Sequence, residues 1–200
     1  MSSNAKSIFD KNVNSLNNMG ALYDFLKTNA KNIDNSMILR SQFVLIVSAF
    51  DTYVHTFLVD TIVEKFFSKE CTICDVNVSL TVMHKINCEV EDYLRKQMLM
   101  NELNEIFSKD SFQAPKSIEY AYSILGYKKI WQALGDKLGK RGQDVKDTLA
   151  LLVKRRNKIA HESDINKVTG EYEEIEIETI VECKNFLCEL VQALDNLYNK

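Results

Sequence analysis

From Met37 to about Phe67 the chain carries neither glycine nor proline. Over that stretch Ile38, Leu39, Phe43, Ile46, Val47, Phe50, Val54, Phe57, Leu58 and Ile62 recur at three- and four-residue steps. That period predicts one long helix with core contacts along most of its length. The whole chain of 200 residues has six glycines and one proline. Folds built from many tight turns need more of both, so the rest of the chain should also be helices with few breaks. With 46% hydrophobic and 26% charged residues, the composition is that of a packed protein, not a disordered one. The length suits a single helical domain over 1–200.

The same periodicity places further helices. Ile8, Val13, Leu16, Met19, Leu22, Phe25 and Leu26 predict one over roughly 4–28, and Ser36 is placed to cap the long one. Residues 69–78 interrupt the pattern, and a helix is expected again over about 79–107. Pro115 suits a helix start, and 117–139 reads as one or two short helices broken near Gly126. Gly135 and Gly139–Gly142 should end that stretch. A helix over about 143–161 follows, then a loop, then a brief extended piece over 173–179. The Thr179 and Glu182 spacing is that of a capping box and opens a last helix to about Tyr198. The expected fold is an all-α, up-and-down bundle of five to seven helices.

Met1 to Asp10 lacks an apolar signal core, and no uncharged run is long enough to cross a bilayer. A cytoplasmic chain with no membrane partner is the expectation. Five scattered cysteines agree with reduced thiols rather than a disulfide frame.

The most informative segment for chemistry is Lys154 to Glu162, read Lys-Arg-Arg-Asn-Lys-Ile-Ala-His-Glu. Between Asp136 and Lys158 stand eight basic and three acidic residues, in a chain of net charge -3. From Glu162 to Glu182 the sign reverses, with eight acids and one lysine. A basic patch with an acidic rim is a plausible phosphate-facing surface. A solvated basic face near a helix C-terminus, where cations suit the helix dipole, produces the same charge count.

Arg156 followed by Asn157, three further residues and His161 resembles the Arg-x4-6-His signature of the HEPN superfamily. Phe43 to Leu58, with Asp51 amid apolar residues, is similar to the family helix that carries an acidic residue. The resemblance points to the RiboL-PSP branch and covers roughly 36–66 and 143–198. It leaves 69–135 as a helical insertion of unknown role. It implies a HEPN-like bundle and a metal-independent endoribonuclease that needs no cofactor. It also implies a homodimer whose two motifs meet at one composite site. Many such proteins resemble toxins or anti-phage effectors restrained by an antitoxin or regulatory protein. Others are inactive modules that bind nucleotide, RNA or a partner.

The residue types suit that chemistry. RNA supplies its own nucleophile, the 2′-OH, so cleavage needs proton transfer and charge stabilisation. Histidine transfers protons near neutral pH, and arginine offers phosphate a planar, permanently charged fork. Asn157, four residues before His161, shares its helix face and could orient the imidazole. Asp51 could hold His161 or Arg156 from the facing helix, or be an ordinary half-buried carboxylate with a local partner. Lys154, Arg155 and Lys158 are the expected RNA-backbone contacts. Five residues span about 140° around a helix of 3.6 residues per turn. One straight helix therefore does not aim Arg156 and His161 at one phosphate, which favours a two-chain site.

Other candidates are weaker. Cys71, Cys74, His84 and Cys88 have a spacing that could ligate zinc, yet the stretch between them lacks the glycine-rich knuckle usual there, and buried thiols explain the cysteines as well. Trp131 with Tyr120, Tyr122 and Tyr127 could stack bases, although such clusters more often pack a core. Gly139-Lys140-Arg141-Gly142 lacks the frame of a P-loop.

Overall fold

A computed structural model describes residues 3–30, 32–68 and 76–198. Among these residues nine helices follow one another: α1 Asn4–Ser15, α2 Asn17–Asn29, α3 Ser36–Ser68, α4 Leu80–Cys88, α5 Asp92–Ile106, α6 Pro115–Ile124, α7 Ile130–Leu138, α8 Gly142–Glu162 and α9 Ile177–Tyr198. The fold is all-α. The helices outnumber the five to seven expected because two predicted helices are each split.

The chain forms two compact units, one of residues 1–53 and 131–200, the other of 54–130. In the first, Leu39, Phe43, Ile46, Val47 and Phe50 of α3 are buried, as are Val145, Leu149 and Val153 of α8. Leu187, Leu190, Val191 and Leu194 of α9 join them in the core. These are the faces that the helical period marks out. The first split falls at Leu16, between α1 and α2. There the buried Gln42 of α3 donates to the Leu16 carbonyl at 3.1 Å, which also accepts from Met19 N–H at 3.0 Å, so the break is tied to α3. The Ser3 hydroxyl accepts from Lys6 N at 3.0 Å, capping α1, and donates to the buried Asp195 of α9.

Ser36 does not cap α3. Its N–H is taken by the Asp34 carboxylate at 2.9 Å, and its hydroxyl accepts from Arg40 Nη1 at 2.6 Å. The hydrogen bonds from Ser36 hold the Asp34 carboxyl below the usual carboxylate range. Gly135 lies within α7 rather than ending it. A Cβ at Gly135 would sit 2.5 Å from the Gly142 nitrogen, and one at Gly142 only 2.3 Å from the Trp131 carbonyl oxygen. Both glycines let the start of α8 pass against α7 backbone. The extended piece expected over 173–179 does not form: 173–176 takes no regular structure, and α9 begins at Ile177, two residues before the predicted cap, while an isolated antiparallel bridge joins Ile165 and Tyr172 just before that segment.

In the second unit the split at Glu89–Glu91 separates α4 from α5. The Glu89 carboxylate accepts from Val90 N at 2.8 Å and Glu91 N at 3.0 Å, which favours the turn over a continuous helix. Arg95 of α5 donates to the Ile86 carbonyl at 3.2 Å. His55 packs against the rings of Phe107 and Phe112, and Phe57 stacks on Tyr122 at 5.8 Å. The buried Tyr122, and in the first unit the buried Trp131, act as packing residues rather than base platforms. His84 Nε2 and Cys88 Sγ are 3.6 Å apart on α4, while Cys71 and Cys74 lie outside the described residues. Among the described residues no group of three or more His, Cys, Asp or Glu side chains could hold a metal.

Helix α3 is long and apolar enough to cross a membrane by length and composition, but 61% of its most apolar window is buried inside the fold. That is the behaviour of a core helix.

Gly142→Ala should lower stability by about 1–3 kcal/mol through forced displacement of α7 backbone, measured by urea unfolding. Burial pushes the Cys183 thiol up to about 12, whereas Cys88 is exposed. At pH 8, iodoacetamide should modify Cys88 in the native protein and reach Cys183 only after unfolding, as peptide mass spectrometry will record.

Candidate active site

Helix α8 starts with Asp144 in its first turn, paired with Arg141 at 2.7 Å, and buries Val145, Leu149 and Val153 at four-residue steps. It ends in two consecutive left-handed residues, Ser163 (φ 53°) and Asp164 (φ 59°). Asp164 N–H returns to the Lys158 carbonyl at 3.1 Å, so the turn closes on α8 itself. Aspartate tolerates this backbone region better than most side chains, but neither residue is glycine, and something must hold the turn.

A buried ionic cluster holds it. Asp164 is wholly buried, and its Oδ2 accepts from Arg40 Nε at 3.1 Å and from Arg155 Nη2 at 2.8 Å. Arg40, only 3% exposed, also donates to the Ser36 hydroxyl and, through Nη2, to the Glu173 carbonyl at 2.5 Å. Arg155 Nη2 further donates to the Glu174 carbonyl at 2.9 Å. Glu173 N–H donates to the Asp164 carbonyl at 2.8 Å. The start of α3, the end of α8 and the segment 171–174 are thus tied through one carboxylate. Its other oxygen, Oδ1, is buried without a hydrogen-bond partner.

The predicted residues divide around this cluster. His161 is exposed on the last turn of α8 and makes no hydrogen bond or ion pair among the described residues. Lys154 is likewise exposed and unpaired among them. Arg156 is half-buried, and its Nη1 donates to Asn157 Oδ1 at 3.1 Å. The Asn157 carbonyl therefore faces Arg156 and does not orient the imidazole. Asp51, half-buried on α3, bonds neither Arg156 nor His161. Arg155, expected on RNA, has Nη2 committed to Asp164 and Glu174. Lys158 Nζ is 2.6 Å from Glu173 Oε1, and that lysine, by hydrogen bond and charge, holds the Glu173 carboxyl below its ordinary range. The acidic segment after α8 thus folds back on two of the basic residues before it.

Arg40 and Asp164 were not singled out in the sequence. Their signal was faint: a cation inside the apolar face of α3, and one acid among eight. Two surface hollows of the second unit, of about 270 and 310 Å³, include none of Asp51, Lys154, Arg156 and His161, although Tyr120 lines the larger.

The chain is thus all-α and carries Arg156, Asn157 and an exposed His161 at the end of a late helix. The RiboL-PSP-HEPN family model matches residues 9–200, and the chain belongs to that family. No curated protein and no solved structure matches it. Membership places the chain among nucleases and RNA-binding modules.

Asp164→Ala would leave Arg40 as an uncompensated buried charge. It should cost about 3–5 kcal/mol in chemical unfolding, whereas Lys154→Ala, on the open surface, should change stability by less than about 0.5 kcal/mol.

Proposed function

We propose that the chain is a metal-independent endoribonuclease whose working unit is a homodimer, with His161 in proton transfer and Arg156 at the phosphate. The observation that carries this reading is His161 itself: an exposed imidazole with no partner among the described residues, five residues after Arg156 in a chain of the HEPN family. A structural histidine normally has its ring nitrogens satisfied by the fold; this one is open to a ligand.

The reaction follows from the groups available. The 2′-oxygen of a ribose attacks the adjacent phosphorus as an imidazole takes its proton. The P–O5′ bond breaks, and a second imidazole, from the other protomer, protonates the departing 5′-oxygen. The products are a 2′,3′-cyclic phosphate and a 5′-hydroxyl, with no redox change. Arg156 stabilises the charge gathered on the phosphorane, with Asn157 bracing its guanidinium. Lys154 meets the backbone on either side. Pairing two copies brings an arginine of one motif near a histidine of the other, which the angular separation along one helix does not. Activity of this kind suits a toxin or anti-phage effector that an antitoxin or regulatory protein holds in check.

The test is cleavage of a mixed RNA pool in excess EDTA. The native chain should yield products ending in 2′,3′-cyclic phosphate, and His161→Ala should reduce the rate by about 10²-fold or more while the circular dichroism spectrum is unchanged. Cleavage undiminished by His161→Ala removes the histidine from the mechanism. Salt-sensitive RNA binding without products from the native dimer assigns the chain to the non-cutting modules of its family.

A further inference from the structure

We propose that Tyr172 is a nucleobase platform beside the candidate active site, a reading that rests on RNA being the ligand of that site. Tyr172 lies in the loop that leaves α8 just after His161. The residue is 53% exposed, although the Arg40 guanidinium covers one side of its ring, 5.0 Å from the centroid. An exposed aromatic on a loop is ordinarily free to swing. This one is fixed from two directions. Its backbone forms the bridge with Ile165. The cation beneath it is buried and held at Ser36, Asp164 and the Glu173 carbonyl. The result is a rigid ring with an open side, charged underneath, three links from the histidine: ring to Arg40, Arg40 to Asp164, and Asp164 to the last turn of α8.

The surroundings decide what would rest there. Glu171 and Glu174, one residue before Tyr172 and two after it, are exposed, and their charge disfavours a phosphate on this loop. The cations of this loop and its contacts do not offset that, because Arg40 is buried, Arg155 Nη2 is bound to Asp164, Lys158 to Glu173 and Lys167 to Glu162. The unpaired Lys154 and the Arg156 fork lie earlier on α8 and suit the backbone. An uncharged, flat group suits the ring. Single-stranded RNA offers both: phosphates for the helix and a splayed base for the aromatic. Base stacking on a ring polarised by a cation would place one nucleotide next to the cleaved linkage and give the site a foothold independent of charge.

The experiment measures binding of a short fluorescein-labelled single-stranded RNA to the His161→Ala chain, which does not cut it, at several salt concentrations. Adding Tyr172→Ala should weaken binding roughly tenfold to a hundredfold without altering the salt slope. Tyr172→Phe and Tyr172→Trp, which keep a ring over Arg40, should bind as the parent does. Lys154→Ala should instead reduce the slope by about one. An RNA series with one base removed at each position in turn should contain a member on which Tyr172→Ala has no further effect. Equal binding by the parent and the folded Tyr172→Ala chain, or loss by Ala on every abasic RNA alike, overturns the platform while leaving the RNA reading intact. Dissociation of the dimer by Tyr172→Ala also overturns it and assigns the ring to the interface between copies. Failure of every protein to bind RNA sinks the ribonuclease reading and this one with it.

Discussion

One carboxylate with two guanidiniums around it governs the end of the motif helix. Asp164 is fully buried, and charges are expensive to remove from water, so the cluster is weak evidence for net stability over an apolar packing of the same volume. What it supplies is geometry. It fixes where α8 stops, makes two left-handed non-glycine residues tolerable, and pins the returning acidic segment to the start of α3. His161 sits one turn ahead of this lock and takes its position from it while making no bond of its own to the cluster. For the proton transfer proposed above, a histidine has to be free at its nitrogens and fixed at its backbone, and this arrangement separates the two demands.

The charge reversal between the two stretches becomes physical in the same place. Arg155 and Lys158 are engaged by Asp164, by the Glu174 carbonyl and by Glu173, whereas Lys154 and Arg156 are left facing outward or braced by Asn157. Adjacent residues on a helix point about 100° apart, so Arg155 and Arg156 are the same letter in the sequence and different parts in the structure. One belongs to the scaffold and the other to the motif.

The long apolar helix, the motif helix and the closing helix were legible because burial imposes the helical period on many residues at once. Breaks were not legible where their cause is distant or small. At the stop at Leu16 the carbonyl is shared between Met19 N–H and Gln42 from another helix, and the stop at Glu89 depends on one side chain bonding its own neighbours' backbone. Arg156 and His161 could be picked out because the family signature they resemble is local, two residue types at a fixed spacing on one helix. Arg40 and Asp164 are 124 positions apart, and no local pattern joins them. Asp51 drew notice for its apolar setting, yet it bonds neither motif residue in the single chain.

The Ser3 contact has a topological consequence. Because this side chain both caps α1 and reaches Asp195 in α9, the two ends of the described chain are neighbours on one unit. Neither bond uses a terminal amine or carboxylate. A short linker could therefore join them at little entropic cost, and the chain could be reopened at the Gly126 turn to give a circular permutant with the Arg40–Asp164 lock unbroken.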